Sequence, residues 1–318
     1  MARHRFLSAR PRRDAGLRRG LEAAVVGALG AASLFLGVFL PAEAPPPGAG
    51  PRTGTAAAAE PAPVRLDPQA FPGGGCVVLP ARTGGSSPTV VLDAGHGGPD
   101  PGSGGSTPAG TTVLEKDLTL AVALAAADDL RDRGTTVVLT RSTDALGAGL
   151  GAGDVQRGAL TTDASQEDLE ARVRCANLAR ADALVSVHFN SFDDSTVGGT
   201  ETLYEPTRPL APRSRALAQS LQTSMRARLS ELGRPQADRG VVDDSSGGES
   251  GGGHLVLLGP RVPGYIDEPS AMPGALVEPL FLTNPGDLDA IASTTGTAAL
   301  GDAISTGISD YLVGARRR

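Results

Sequence analysis

The chain has 318 residues, a formal net charge of −6, only four histidines and only two cysteines. Residues 1–20 hold seven Arg and one Asp, so residues 21–318 carry a net charge of −12. An acidic body of that kind lacks the basic face a nucleic-acid partner requires, which excludes that partner class. The chain has room for one substantial folded core behind its N-terminal segments.

In chain order, the basic head is followed by the apolar run Leu21–Leu40 and then Pro41-Ala42-Glu43-Ala44. A basic n-region, an apolar h-region and an A-x-A triplet read as an export signal ending at residue 44. Pro45 would follow the cut, which signal peptidases tolerate poorly. The alternative is an uncleaved membrane anchor through residues 21–40, since about 20 apolar residues span a bilayer. Either reading places the remainder outside the cytoplasm. Residues 45–88 are rich in Pro, Ala and Gly and read as a linker, with edge-strand character only at Cys76-Val77-Val78-Leu79. Cys76 and Cys175 either pair in an oxidising compartment or stay as separate thiols.

From Thr89 strand and helix signals alternate. Val90-Val91-Leu92 is a short buried strand that ends in Asp93-Ala94-Gly95-His96-Gly97-Gly98. Residues 115–133 place Leu118, Ala121, Val122 and Ala125 at helical spacing, with Gly134 as the stop. Residues 135–140 form a β-branched strand, 146–162 a Gly-rich surface excursion, and 166–181 a second helix. Strands at 183–188 and 200–204 precede a helix over 214–232. An acidic loop over 243–253 leads to strands at 255–258 and 275–278, and a helix over 297–312 closes the chain. The alternation predicts one α/β domain over residues 89–314, a twisted, mostly parallel sheet of about six strands with helices on both faces. Residues 315–318 form a basic tail.

His96 and His188 each follow an apolar strand, and in a parallel sheet such strand ends share one edge. Glu115 begins the first helix, after a Gly-rich loop that starts at His96, and can return to the same edge. Two histidines and a carboxylate with a fourth position left open form a catalytic zinc pattern. Nitrogen and oxygen ligands without cysteine fit Zn2+ better than Ca2+ or Mg2+. Glu278 ends the apolar strand Ala275-Leu276-Val277, where an unpaired carboxylate is costly unless it works as an acid–base group. Asp93 and Asp100 read as braces for the loop around His96. Asn190 either orients His188 or touches substrate, and His254 reads as a solvent-exposed loop residue.

These residues carry a resemblance. The opening V-V-L-D-A-G-H-G-G, the helix start Glu115-Lys116-Asp117 and Leu139-Thr140-Arg141 resemble the zinc-dependent N-acetylmuramoyl-L-alanine amidases of the Amidase_3 group. The same holds for R-C-A-N-L-A-R-A-D over 174–182, S-V-H-F-N-S, Gly199-Thr200-Glu201, Leu276-Val277-Glu278 and Phe281-Leu282-Thr283-Asn284. The resemblance implies zinc bound by His96, Glu115 and His188, with Glu278 as the catalytic glutamate. It implies hydrolysis of the amide between N-acetylmuramic acid and L-alanine in peptidoglycan. A monomer is expected, with a protein activator left open. Pro279-Leu280 departs from the family's usual small residues after the glutamate, and the 146–162 and 240–254 stretches are longer than usual. Two further readings stay open: a non-catalytic peptidoglycan-binding envelope protein, and a zinc hydrolase of another amide bond.

Overall fold

The computed structural model describes residues 60–85, 87–246 and 253–317. The export or anchor segment expected at 1–44 and the first part of the expected linker lie outside the described residues. Among the described residues no helix is long and apolar enough to cross a membrane.

Short runs of β-branched and aliphatic residues build an eight-stranded sheet. Its strands are β1 (Val64–Arg65), β2 (Val77–Leu79), β3 (Thr89–Ala94), β4 (Thr136–Leu139), β5 (Ala183–Val187), β6 (Thr200–Tyr204), β7 (Asp238–Asp243) and β8 (Gly274–Glu278). Their spatial order is β1-β2-β4-β3-β5-β8-β6-β7. The central strands β4, β3, β5 and β8 are mutually parallel, β6 runs antiparallel to β8, and β7 is parallel to β6. Parallel strands buried on both faces need near-continuous apolar sequence, as in Val90-Val91-Leu92 and Ala183-Leu184-Val185.

Side chains alternate between two layers. Val90, Leu92, Val185, Val187 and Val277 face one core with α1 (Glu115–Asp132), α3 (Ala211–Glu231) and α5 (Thr294–Arg316). Val91, Val138 and Leu184 face the other, packed with Val173 and Ala176 of α2 (Thr162–Ala179). The sheet therefore has helices on both faces, as the alternation predicts. The second face, however, carries a single long helix. Beyond α2 it is covered by irregular chain that includes Val256, Leu257 and Ile266, and a cavity remains there.

Several boundaries differ from expectation for local reasons. The linker expected to run to residue 88 is part of the fold from at least β1. Phe71 and Cys76 are buried, and Cys76 is disulfide-bonded to Cys175 on α2. Leu255–Leu258, expected as a strand, forms a turn closed by Leu258 N donating to Leu255 O at 3.1 Å. Its apolar side chains cap a core instead of pairing in the sheet. The edge position belongs to β7, whose half-exposed residues carry little apolar signal. Helix α2 starts four residues before its expected origin because the Thr161 side chain accepts from Ala164 N. A short helix, α4 (Pro285–Ile291), starts at a cap where Asn284 accepts from Gly286 N and Asp287 N. The 146–162 excursion is anchored at its start by buried Leu146 and Ala148, and α5 extends into the expected tail as far as Arg316.

Candidate active site

Register explains why residues remote in sequence meet. Ala94 of β3 pairs with Val187 of β5, and Val187 pairs with Val277 of β8. The residues just beyond these three, Gly95-His96, His188 and Glu278, therefore leave the sheet along one edge. Glu278 also pairs in register with Glu201 on β6. His96, His188, Glu201 and Glu278 line a cavity of about 790 Å3 on the face that α2 leaves partly open.

His96 sits in the left-handed region at φ +63°. His96 Nδ1 donates to Asp100 Oδ2 at 2.8 Å, which turns Nε2 toward Glu115. That Nε2 is buried and has no aligned hydrogen bond, although it lies 3.0 Å from Glu115 Oε1. His188 Nδ1 is 3.1 Å from the same oxygen, and the two imidazoles meet edge-to-face with centroids 4.8 Å apart. Glu115, 1% exposed, is held by Phe189 N on Oε1 at 3.0 Å and by Ser103 N and Oγ on Oε2 at 2.8 and 2.9 Å. The potential ligand atoms of His96, Glu115 and His188 lie within 4.8 Å of one another, a grouping able to hold a metal ion.

Two glycines make this convergence possible. A Cβ on Gly95 would stand 2.4 Å from the His188 ring, and one on Gly102 would stand 2.7 Å from both Glu115 Oε2 and His96 Cδ2. Any side chain at either position displaces a member of the cluster.

The loop is tied down from below by buried charge. Arg172 of α2 donates to Asp93 Oδ1 at 2.9 Å, to Asp168 Oδ2 at 2.7 Å and to the carbonyls of Ala94 and His96, each at 2.7 Å. Asp93 also accepts from Thr140 Oγ1 and Ser186 Oγ. Arg141, just after β4, donates to Ala94 O and Gly95 O and reaches Lys116 O at the start of α1. Asp93 and Asp100 thus brace the His96 loop as the sequence suggests, and Arg172 and Arg141 do so too. In the sequence Arg172 is one of many helical arginines, and its burial is a tertiary fact.

The electrostatics favour positive charge between the rings. Burial works against protonating His96, but the Glu115 charge and the Asp100 hydrogen bond prevail and raise its pKa to about 10. Burial likewise disfavours the Glu115 anion, yet the two histidines hold its pKa well below the usual carboxylate range. Glu278 moves in the opposite direction. Burial and then the charges of Glu115 and Glu201 push it well above the usual range, and its Oε2 is buried without a partner.

The Asn190 side chain hydrogen-bonds to Glu201 and Ser191. Its Nδ2 donates to Glu201 Oε1 at 2.7 Å, while Arg239 Nε donates to Glu201 Oε2 at 2.9 Å and stacks 5.0 Å over the Phe281 ring. Glu201 and Arg239 are cleft residues that sequence reasoning assigned no role. Pro279 and Leu280 are accommodated without loss of the edge: Pro279 O accepts from Thr200 Oγ1, and Leu280 is fully buried. His254 corrects its expectation, since it is half-buried, lines the same cavity and contacts two carboxylates.

Comparison with known proteins agrees with this geometry. An uncharacterised Bacillus subtilis protein, YqiI, is 31% identical over 223 residues, covering 70% of this chain and 84% of its own length. The germination-specific N-acetylmuramoyl-L-alanine amidase of the same organism is 27% identical, covering 71% and 80%. The CwlD amidase of Clostridioides difficile, solved in complex with the GerS lipoprotein, superposes with a TM-score of 0.54 at 26% identity. That match covers 71% of this chain and 99% of the CwlD chain. Residues 90–310 match the N-acetylmuramoyl-L-alanine amidase family, Amidase_3; the match spans His96, Glu115, His188 and Glu278, and the chain belongs to that family.

Proposed function

We propose that this amidase is a zinc enzyme in which His96, Glu115 and His188 hold the metal and Glu278 is the acid–base residue. Its substrate is the amide joining the lactyl group of N-acetylmuramic acid to L-alanine in peptidoglycan. The observation that carries the reading is the convergence of His96, Glu115 and His188, whose potential ligand atoms lie within 4.8 Å of one another, on the same cavity edge as Glu278. Two imidazoles and one carboxylate, each oriented by its own hydrogen bond or packing, suit zinc and leave a position for substrate. A zinc ion held there supplies Lewis acidity toward the amide carbonyl oxygen and acidifies water.

The residues of the chain supply the rest. Glu278 is buried among other carboxylates, so it has a raised affinity for a proton. It accepts one from the attacking water and returns it to the departing alanine nitrogen. Glu201 stands beside it on β6, held by Asn190 and Arg239, and its charge adds to the proton affinity of Glu278. Asp100 fixes which His96 nitrogen faces the cluster, and Arg172 and Arg141 hold the loop so that the ligand set is preformed.

The disulfide supports work outside the reducing cytoplasm. Together with the basic head and the 21–40 apolar run it favours export, either by a cleaved leader or by a retained anchor. The test is digestion of purified peptidoglycan with mass analysis of the products, with and without chelator. Wild type should release free stem peptides, chelator should abolish release, and Glu278→Gln should lower turnover about 100- to 10,000-fold with metal content unchanged. Full activity in Glu278→Gln, or cleavage of a different bond, refutes the assignment.

A further inference from the structure

A second cluster of metal-type side chains lies on the other wall of the cavity. Tyr204, the last residue of β6, pairs in register with Asp243, the last residue of β7. The next residues, Glu205 and Asp244, therefore leave two parallel strands side by side. Both are buried, at 2% and 0% exposure. The chain returns to them at His254, whose Nδ1 lies 2.8 Å from Glu205 Oε2 and 3.2 Å from Asp244 Oδ1. The three potential ligand atoms fall within 4.8 Å of one another, the same closeness that relates His96, Glu115 and His188.

Each carboxylate is fixed by the backbone and keeps an oxygen toward the cluster. Glu205 Oε1 accepts from Thr207 N, and Asp244 Oδ2 accepts from Leu255 N at 3.2 Å. Glu205 Oε2 is buried without an aligned hydrogen bond and points into the cluster, where His254 Nδ1 is its neighbour at 2.8 Å. Arg208 is the neighbouring cation, but it donates to Leu258 O, Ser270 Oγ and Ser270 O instead of the carboxylates. Two carboxylates and one imidazole meet in a buried cluster whose charge a divalent cation balances.

We propose that Glu205, Asp244 and His254 form a second divalent-metal site, separate from the His96 cluster. An imidazole with two carboxylates fits zinc or manganese, and fits calcium and magnesium poorly. Occupancy fastens the chain at His254 to the ends of β6 and β7, and since His254 and Leu255 line the cavity, the metal shapes one wall of the substrate cleft. The site shares no residue with the catalytic cluster, so it stands or falls independently of the function proposed above.

Metal counting on the full-length protein tests it. After loading with Zn2+ and removal of the excess, elemental analysis should give two equivalents per chain for wild type. It should give one for the double variant His96→Ala/His188→Ala, and one for His254→Ala. No metal in the His96→Ala/His188→Ala variant, or a count in His254→Ala equal to that of wild type, overturns the proposal. The first of these counts decides the matter even if His254→Ala fails to fold, and Glu205→Gln, which keeps the side-chain volume, should also drop to one.

Discussion

Removing the Cys76–Cys175 disulfide tests how the N-terminal edge is held. The bond closes a stretch with a sequence separation of 99, and in the chain-entropy model a loop of that length constrains the unfolded state by about 4.7 kcal/mol. For a domain of this size each kcal/mol corresponds to roughly 2–4 °C in Tm, so Cys76→Ala/Cys175→Ala should melt about 10–20 °C lower than wild type. The assay is thermal unfolding by circular dichroism at matched metal loading, with wild type in reducing agent as a second comparison. The native contacts sharpen the expectation. Strands β1 and β2 are two and three residues long, and Phe71 is the large buried anchor between them. The variant should therefore also be cut faster by protease within residues 60–88. A Tm drop below about 3 °C, with unchanged proteolysis, would refute the idea that the cross-link is what fastens this edge.

Breaking the buried pair under the loop should be severe: Arg172→Met strands the Asp93 charge, at a cost of about 3–5 kcal/mol, which calorimetry or urea unfolding would read. The same variant frees the carbonyls of Ala94 and His96 and should weaken metal binding. Gly95→Ala drives a methyl into the His188 ring and should lower metal affinity about 10- to 100-fold, the scale of other disruptions around metal ligands; unchanged affinity in a titration would contradict the packing argument. In metal-free protein His96 is protonated up to about pH 10. Its raised pKa stabilises the fold fully below the unfolded value near 6.5, and that contribution is lost as pH climbs toward 10. Metal binding near pH 7.5 should therefore release about one proton from His96, visible as a dependence of the calorimetric heat on buffer ionisation enthalpy.

Much of the chemistry was legible because it is local. His96 and His188 stand directly after apolar runs, and Glu115 stands at a helix start. Those positions depend on strand and helix periodicity, which single residues carry. Their convergence needed one assumption, that the strands are parallel and neighbouring, and β3, β5 and β8 meet it. Less local features stayed hidden. Strand β7 has a half-exposed pattern without apolar alternation, so nothing near it announces an edge strand. Residues 255–258 have the composition of a strand, but they cap a core.

By itself the sequence determined the fold class, the family and the four residues expected to bind metal and move protons, because element type and motif order are written within short windows. Only the tertiary structure decided that Cys76 reaches Cys175, that residues 60–85 belong to the fold, and that Arg172 and Arg141 are buried braces. It also decided that His254 meets Glu205 and Asp244 instead of lying in solvent. Each of these depends on where strands sit beside one another in the sheet. Burial and proximity set the charge state of a side chain and its choice of partner, and neither is a property of a residue's neighbours in the chain.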